Sequence, residues 1–196
     1  YVIANPGEGI TELAYTNPRT NLPKAVRDYD AIETRFEKRL SNNWYLNVGY
    51  TWSRLYGNYS GLTQSDENGR TSPNVGRLFD YPAMMFDQKG QPVFGPLATD
   101  RPHQFKTQFI YQFPIGTSIS VNQYVASGLP VSREIAIIPP NNYPLNYLGR
   151  NSDGRTDVFS QTDLYLQHEI RLGDQRLQFS FNVFNVFNEE AAVSKF

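Results

Sequence analysis

Few residues in this chain are of the types that do covalent or metal chemistry, and their spacing does not assemble a site. Histidine occurs twice, at His103 and His168. The two fall in different candidate strands with no nucleophile motif beside either, so general acid–base chemistry lacks its partners. Cysteine is absent, which excludes disulfides, thiolate metal sites and Cys nucleophiles. Asn151, Asp153, Arg155 and Asp157 place polar side chains at alternating positions, loosely like a calcium loop. Arg155 stands where a further ligand belongs, and no bidentate Glu follows at the required distance. A turn is expected there, no metal or other cofactor is expected, and the chain is expected not to be an enzyme.

Non-covalent recognition has more candidates. Glu33, Arg35, Glu37 and Arg39 alternate in a mixed-charge stripe, Lys106 stands among glutamines, and Asp163, Glu169 and Arg171 alternate in a second stripe. They suit polar contact with a substrate path or a partner domain. They suit equally cross-strand charge pairing on a wet face, worth a few tenths of a kcal/mol per pair, and that pairing is the expectation. Tyr56, Tyr59, Tyr81, Tyr143 and Tyr147 stud two polar segments. Such rings can stack on sugars or grip a peptide, or pack the segments on one another, and both readings stay open.

The elements that would hold these residues are strands. Period-two alternation recurs six times, which is a β pattern rather than a helical one. Trp44, Leu46, Val48, Tyr50 and Trp52 share one face of a strand against Tyr45, Asn47, Gly49 and Thr51 on the other. Phe105, Phe109, Tyr111 and Phe113 oppose Gln104, Lys106, Gln108 and Gln112; Ile119, Val121 and Val125 oppose Ser118, Ser120 and Asn122. Leu164, Leu166, Ile170 and Leu172 oppose Asp163, Tyr165, Gln167, Glu169 and Arg171, and Leu177, Phe179, Phe181 and Val183 oppose Gln178, Ser180 and Asn182. A less regular first strand, about 29–40, sets Ile32, Thr34, Phe36 and Leu40 against its charged stripe. Lys38 and His168 are misfits on the apolar side; Lys38 lies near a turn, where it can snorkel.

Connections alternate as well. Ser41-Asn42-Asn43, Pro114-Ile115-Gly116-Thr117 and Gly173-Asp174-Gln175 read as tight hairpin turns, whereas residues 53–102 and 127–160 read as long loops. Loops of that length are rare in compact soluble domains. Short turns at one end and long loops at the other are the layout of an outer-membrane β-barrel. Ten residues at about 3.3 Å each span roughly 33 Å, or about 23 Å of membrane normal when tilted near 45°, close to the apolar band of such barrels. Trp44 at one strand end and Tyr50 and Trp52 at the other suit two interfacial girdles.

Composition sets the bounds. The 196 residues carry a formal charge of −1, so no basic nucleic-acid footprint exists. Tyr and Phe number 13 each, while charged residues are only 19%, a β-rich, aromatic balance. No apolar run is long enough for a transmembrane helix, and the mean hydropathy of −0.52 is compatible with a barrel whose lumen and loop residues dilute its apolar face. The predicted architecture is an all-β antiparallel up-and-down meander, 1–25 being loop and 26–188 six strands. Six strands leave two open edges, so the wall would have to be completed by other sequence. The opening Tyr1-Val2-Ile3 reads as internal to a longer protein.

Several segments, in order, resemble the C-terminal barrel of TonB-dependent outer-membrane receptors, specifically the Oar-like branch. They are Tyr29-Asp30-Ala31-Ile32-Glu33, Ser41-Asn42-Asn43-Trp44, Tyr50-Thr51-Trp52-Ser53-Arg54-Leu55, Gly57-Asn58-Tyr59-Ser60-Gly61-Leu62, Asp100-Arg101-Pro102-His103, Ser127-Gly128-Leu129-Pro130, Asp153-Gly154-Arg155-Thr156-Asp157 and Asn182-Val183-Phe184-Asn185-Val186-Phe187-Asn188. The resemblance implies a barrel of about 22 strands closed by a plug domain. It implies binding and passage of a scarce substrate without catalysis, powered through a periplasmic energy-coupling protein, with outer-membrane lipid around the wall. The even-numbered set from Trp44 to Trp52, with Phe105, Phe109, Tyr111, Leu164, Leu166, Phe179 and Phe181, would then face lipid, and the charged stripes the lumen. A passive porin and a soluble β-rich carbohydrate-binding module are the alternatives.

Overall fold

The computed structural model describes residues 26–58, 87–89, 93–133, 135–137, 143–145 and 148–192. The expected loop 1–25 lies outside them, as do Tyr59, Tyr81 and Tyr147. Six strands form one antiparallel path in which each pairs with the next long one in sequence: β1 (Arg27–Ser41), β2 (Trp44–Gly57), β4 (His103–Gln112), β5 (Thr117–Ala126), β8 (Phe159–Leu172) and β9 (Gln175–Val183). A short β3 (Gly95–Pro96) adds to the far end of β2, and β6 (Ile135–Ile137) pairs with β7 (Tyr143–Leu145) in a separate two-stranded hairpin.

The turns follow from their residues. Asn42 and Asn43 both take positive φ, 51° and 67°, which a two-residue type I′ hairpin needs and Asn tolerates. Gly173 supplies the positive φ of 60° at the first turn position between β8 and β9. Lys38, a misfit by sequence, closes the first turn: its Nζ donates to the carbonyls of Ser41 and Trp44, each at 2.9 Å, and lies 3.8 Å from the centre of the Trp44 ring. His168, the other misfit, sits opposite Thr117, with Nδ1 and the Thr117 hydroxyl 2.8 Å apart. Its polar edge is thereby satisfied beside Phe179, its neighbour on β9.

Register fixes the two faces. Glu33 pairs with Thr51, Gly49 with Lys106, Gln108 with Asn122, and Asn122 with Asp163, so these residues of the central strands share one side. Val48, Phe109, Val121, Leu164 and Phe181 share the reverse. Among the described residues no second layer covers that apolar side: Phe36, Phe179 and Phe181 are 61%, 60% and 64% exposed. The buried apolar residues, Leu55, Leu97, Ala98 and Ala126, instead cluster at the loop end of the sheet. A soluble sandwich would put its core on the alternating face. This sheet leaves that face for an apolar surrounding.

Two expectations need correction. The loops 53–102 and 127–160 are not structureless at their feet: β2 and β8 each run 14 residues, beyond the ten expected, β3 pairs with the far end of β2, and an isolated bridge joins Pro130 to Arg155. Among the described residues, the stripe arginines also find their partners along the strand rather than across it. Arg35 bonds Glu37 within its own strand at 3.1 Å, and Arg171 bonds Glu169 likewise at 3.0 Å. The reason is the opposite residue: Arg35 faces Gly49, and Arg171 faces Arg176, a like charge. Arg39 falls in the register irregularity between Lys38 and Ser41, off the regular ladder.

Candidate functional site

The polar face encloses a trough of about 840 Å³. Its lining includes Glu33, Arg35, Asn47, Lys106, Tyr124 and Asp163, so β1, β2, β4, β5 and β8 bring together residues far apart in sequence. Most polar groups there are already engaged. Arg35 Nε donates to Asn47 Oδ1 at 2.9 Å, the Tyr124 hydroxyl donates to Gln104 Oε1 at 3.1 Å, and Lys106 lies 5.6 Å from the Tyr124 ring centre. Asp163 accepts from Gln161 Nε2 at 3.0 Å, and its Oδ1 accepts the Asn185 N–H at 2.9 Å and thereby holds the turn after β9. Glu169 and Arg171 lie further along β8 and do not line the trough. Amides, hydroxyls and phenols, with two carboxylates and two cations among them, make a polar hydrogen-bonding wall; among the described residues no nucleophile–base–orienter set stands in it.

Of the loop tyrosines, Tyr56 is half-buried with the Arg54 guanidinium 4.2 Å from its ring centre, so one face of the ring is already covered. Tyr143 belongs to β7 by its backbone. The loose calcium-loop pattern resolves into contacts of another kind. Asp153 takes Arg133 at 3.0 Å, and Arg155 reaches across to Asp100. His103 Nδ1 lies 2.8 Å from the Tyr50 hydroxyl on the apolar side, a ring-edge contact at the strand end.

A polar row that the sequence reading passed over interrupts the apolar face near the loop end. Thr107 pairs with Gln123 and Gln123 with Thr162. Glu189, from the segment after β9, lies against the last of these: its Oε1 accepts from Ser160 Oγ at 2.6 Å and from Thr162 Oγ1 at 3.2 Å, and its N–H donates to Asn185 Oδ1 at 2.8 Å. The signal was legible as a gap, since Gln123, Ser160 and Thr162 break an otherwise apolar alternation. The Ser160 hydroxyl above all, with Thr162 and Gln123, holds the Glu189 carboxyl below the usual carboxylate range, outweighing the opposing desolvation. A carboxylate whose folded value is depressed contributes stability above its unfolded value and loses it as pH falls through the folded one. Acidification below the ordinary carboxylate range is therefore expected to loosen the 185–192 segment from β8, seen as faster amide exchange at Val186 and Glu189. Glu189→Gln should make that exchange insensitive to pH over the same range; an unchanged pH profile would remove Glu189 as its cause.

Comparison with known proteins agrees with this architecture. The profile of the family described as "Outer membrane beta barrel domain" matches residues 5–133. A protein described as "TonB-dependent transporter Oar", from Myxococcus xanthus, is 30% identical over an alignment that takes in 96% of this chain and 17% of that protein. The chain thus spans less than a fifth of the length of that relative. No solved structure matches. An antiparallel meander with a bare apolar side, a wet opposite side and this family match have one common reading: the chain belongs to the outer membrane β-barrel domain family and is part of a barrel wall in the bacterial outer membrane.

Proposed function

We propose that this sheet is an arc of the wall of a TonB-dependent transporter, a barrel that binds a scarce substrate and passes it without covalent chemistry. The observation that carries the reading is the contrast between faces. Ile32, Phe36, Leu177 and Phe179 stand exposed, as lipid-facing side chains would, while Glu33, Arg35, Lys106 and Asp163 line the trough behind them, as lumen-facing ones would. In the complete barrel the trough would meet the plug or the substrate path, and the coupling protein would act on the parent chain from the periplasm. The relative described as a TonB-dependent transporter supports the transporter reading over a general barrel.

A passive porin shares the two-faced wall but not the plug, and the two differ in conductance. Full-length protein in planar bilayers bathed in potassium chloride is expected to stay closed, with current appearing once the plug segment is removed. Steady open-channel current from the intact protein would favour the porin.

A further inference from the structure

Above the sheet, where the long loops begin and end, three separate stretches of chain are knitted by polar contacts with little solvent access. Asn58, fully buried, accepts the Val26 N–H on Oδ1 at 2.7 Å and donates its own N–H to the Val26 carbonyl at 3.0 Å, tying the approach to β1 to the end of β2. Its carbonyl accepts from Arg150 Nη2 at 3.3 Å, and Arg150 Nε donates to the Val93 carbonyl at 3.0 Å. Arg150 thus crosses from the β5–β8 connection into the β2–β4 connection, over Gly95, where a Cβ would lie 2.6 Å from its own Cβ.

A second arginine makes the same crossing. Arg155 reaches Asp100 through two donations, Nη2 to the carboxylate at 2.5 Å and Nη1 to the Asp100 carbonyl at 2.9 Å, and Nη1 also donates to the Gly128 carbonyl at 3.0 Å. Asp100, 2% exposed, also accepts the Leu55 N–H at 2.7 Å. Arg101 Nη1 completes the seam on the Ser127 carbonyl at 2.6 Å. Leu55, Leu97 and Ala98 are buried in the same layer. Charged donors on buried carbonyls and a buried carboxylate are costly to separate, because either half alone leaves polar groups unpaired in a dry setting.

We propose that Asn58, Asp100, Arg150 and Arg155 join these loop feet into one cooperative collar, and that they act as positioning residues for both long loops together. Stability in proteins divides into units that open as wholes, and the contacts here run between connections as well as within them. A disturbance in one foot then reaches the other. The collar is independent of what the barrel passes, and it would be equally present in a porin.

The test is hydrogen–deuterium exchange on the full-length protein in outer-membrane vesicles, comparing wild type with Asp100→Asn. Asn keeps an oxygen for the Leu55 N–H, but it removes the charge and turns an amide N–H toward Arg155 Nη2 where a carboxylate oxygen accepted. Exchange is expected to quicken by roughly tenfold, the scale of one charge-assisted hydrogen bond, at residues 53–58 and 97–101 and equally at 127–129 and 150–156. Mid-strand amides of β4 and β5 should be unchanged. Acceleration confined to the β2–β4 connection would overturn the proposal. Should Asp100→Asn not assemble, Arg150→Lys approaches the seam from the opposite loop: quickened exchange at Val26 and Asn58 supports the collar, and unchanged exchange there defeats it.

Discussion

Val121→Arg is expected to cost about 2–4 kcal/mol of folding stability in a bilayer, the scale for a cation on the lipid side of a barrel near its midplane. Asn122→Arg, one residue along, is expected to cost less than about 0.5 kcal/mol, as surface substitutions usually do. The contrast follows from register. Val121 lies midway along β5 between Phe109 on β4 and Leu164 on β8, all on the apolar side. Asn122 lies between Gln108 and Asp163, where a new guanidinium finds water and a carboxylate. The measurement is urea unfolding of the full-length protein refolded into lipid vesicles, compared for the two variants. Equal cost at both positions would mean that the faces do not meet different solvents, and the barrel-wall reading would fail on it.

Most of what supports that experiment was legible in the sequence. Strand alternation at Trp44–Trp52 or Leu164–Leu172 is a local pattern with period two, and pairing partners one hairpin away inherit it. Ser41-Asn42-Asn43 announced its turn because few residues other than Asn and Gly accept positive φ. What escaped was non-periodic and distant. Nothing near Arg155 in the chain indicates that its guanidinium meets Asp100, 55 residues away; the spacing of its neighbours suggested a turn. Glu189 sat in a loop-like Asn188-Glu189-Glu190, and only the broken alternation of β5 and β8 marked where it lands. The charge stripes were legible as stripes, but their partners depended on which residue stood opposite, and Gly49 and Arg176 sent Arg35 and Arg171 along the strand. The trough required the same knowledge, because it draws on five strands.

The segment Ser127-Gly128-Leu129-Pro130 shows how a motif can be readable before its reason is. A Cβ at Gly128 would lie 1.8 Å from the Thr156 carbonyl oxygen and 2.6 Å from its carbon. Neither atom is the end of a flexible side chain, so the two loop feet must separate to admit it. Separation strains a compact set of bonds: Thr156 N–H to the Leu129 carbonyl at 2.8 Å, Leu129 N–H to Thr156 Oγ1 at 2.9 Å, and Arg155 Nη1 to the Gly128 carbonyl. Gly128→Ala is therefore expected to destabilise by about 3 kcal/mol, the upper range for overpacking with hydrogen bonds lost beside it. Gly49 is the control. It lies within β2, where a Cβ would meet only the Lys106 carbonyl oxygen at 4.0 Å, an ordinary contact. Gly49→Ala should be neutral or slightly stabilising, since Ala restricts the unfolded chain more than Gly does. Both variants are compared by urea unfolding in vesicles and by protease cleavage between residues 127 and 160 in folded protein. Because the clash lies above the sheet, Gly128→Ala should raise cleavage there at denaturant concentrations where β4 and β5 remain folded. Cleavage no faster than in Gly49→Ala would show that the two feet yield without cost, and that close approach is not what requires glycine at this position.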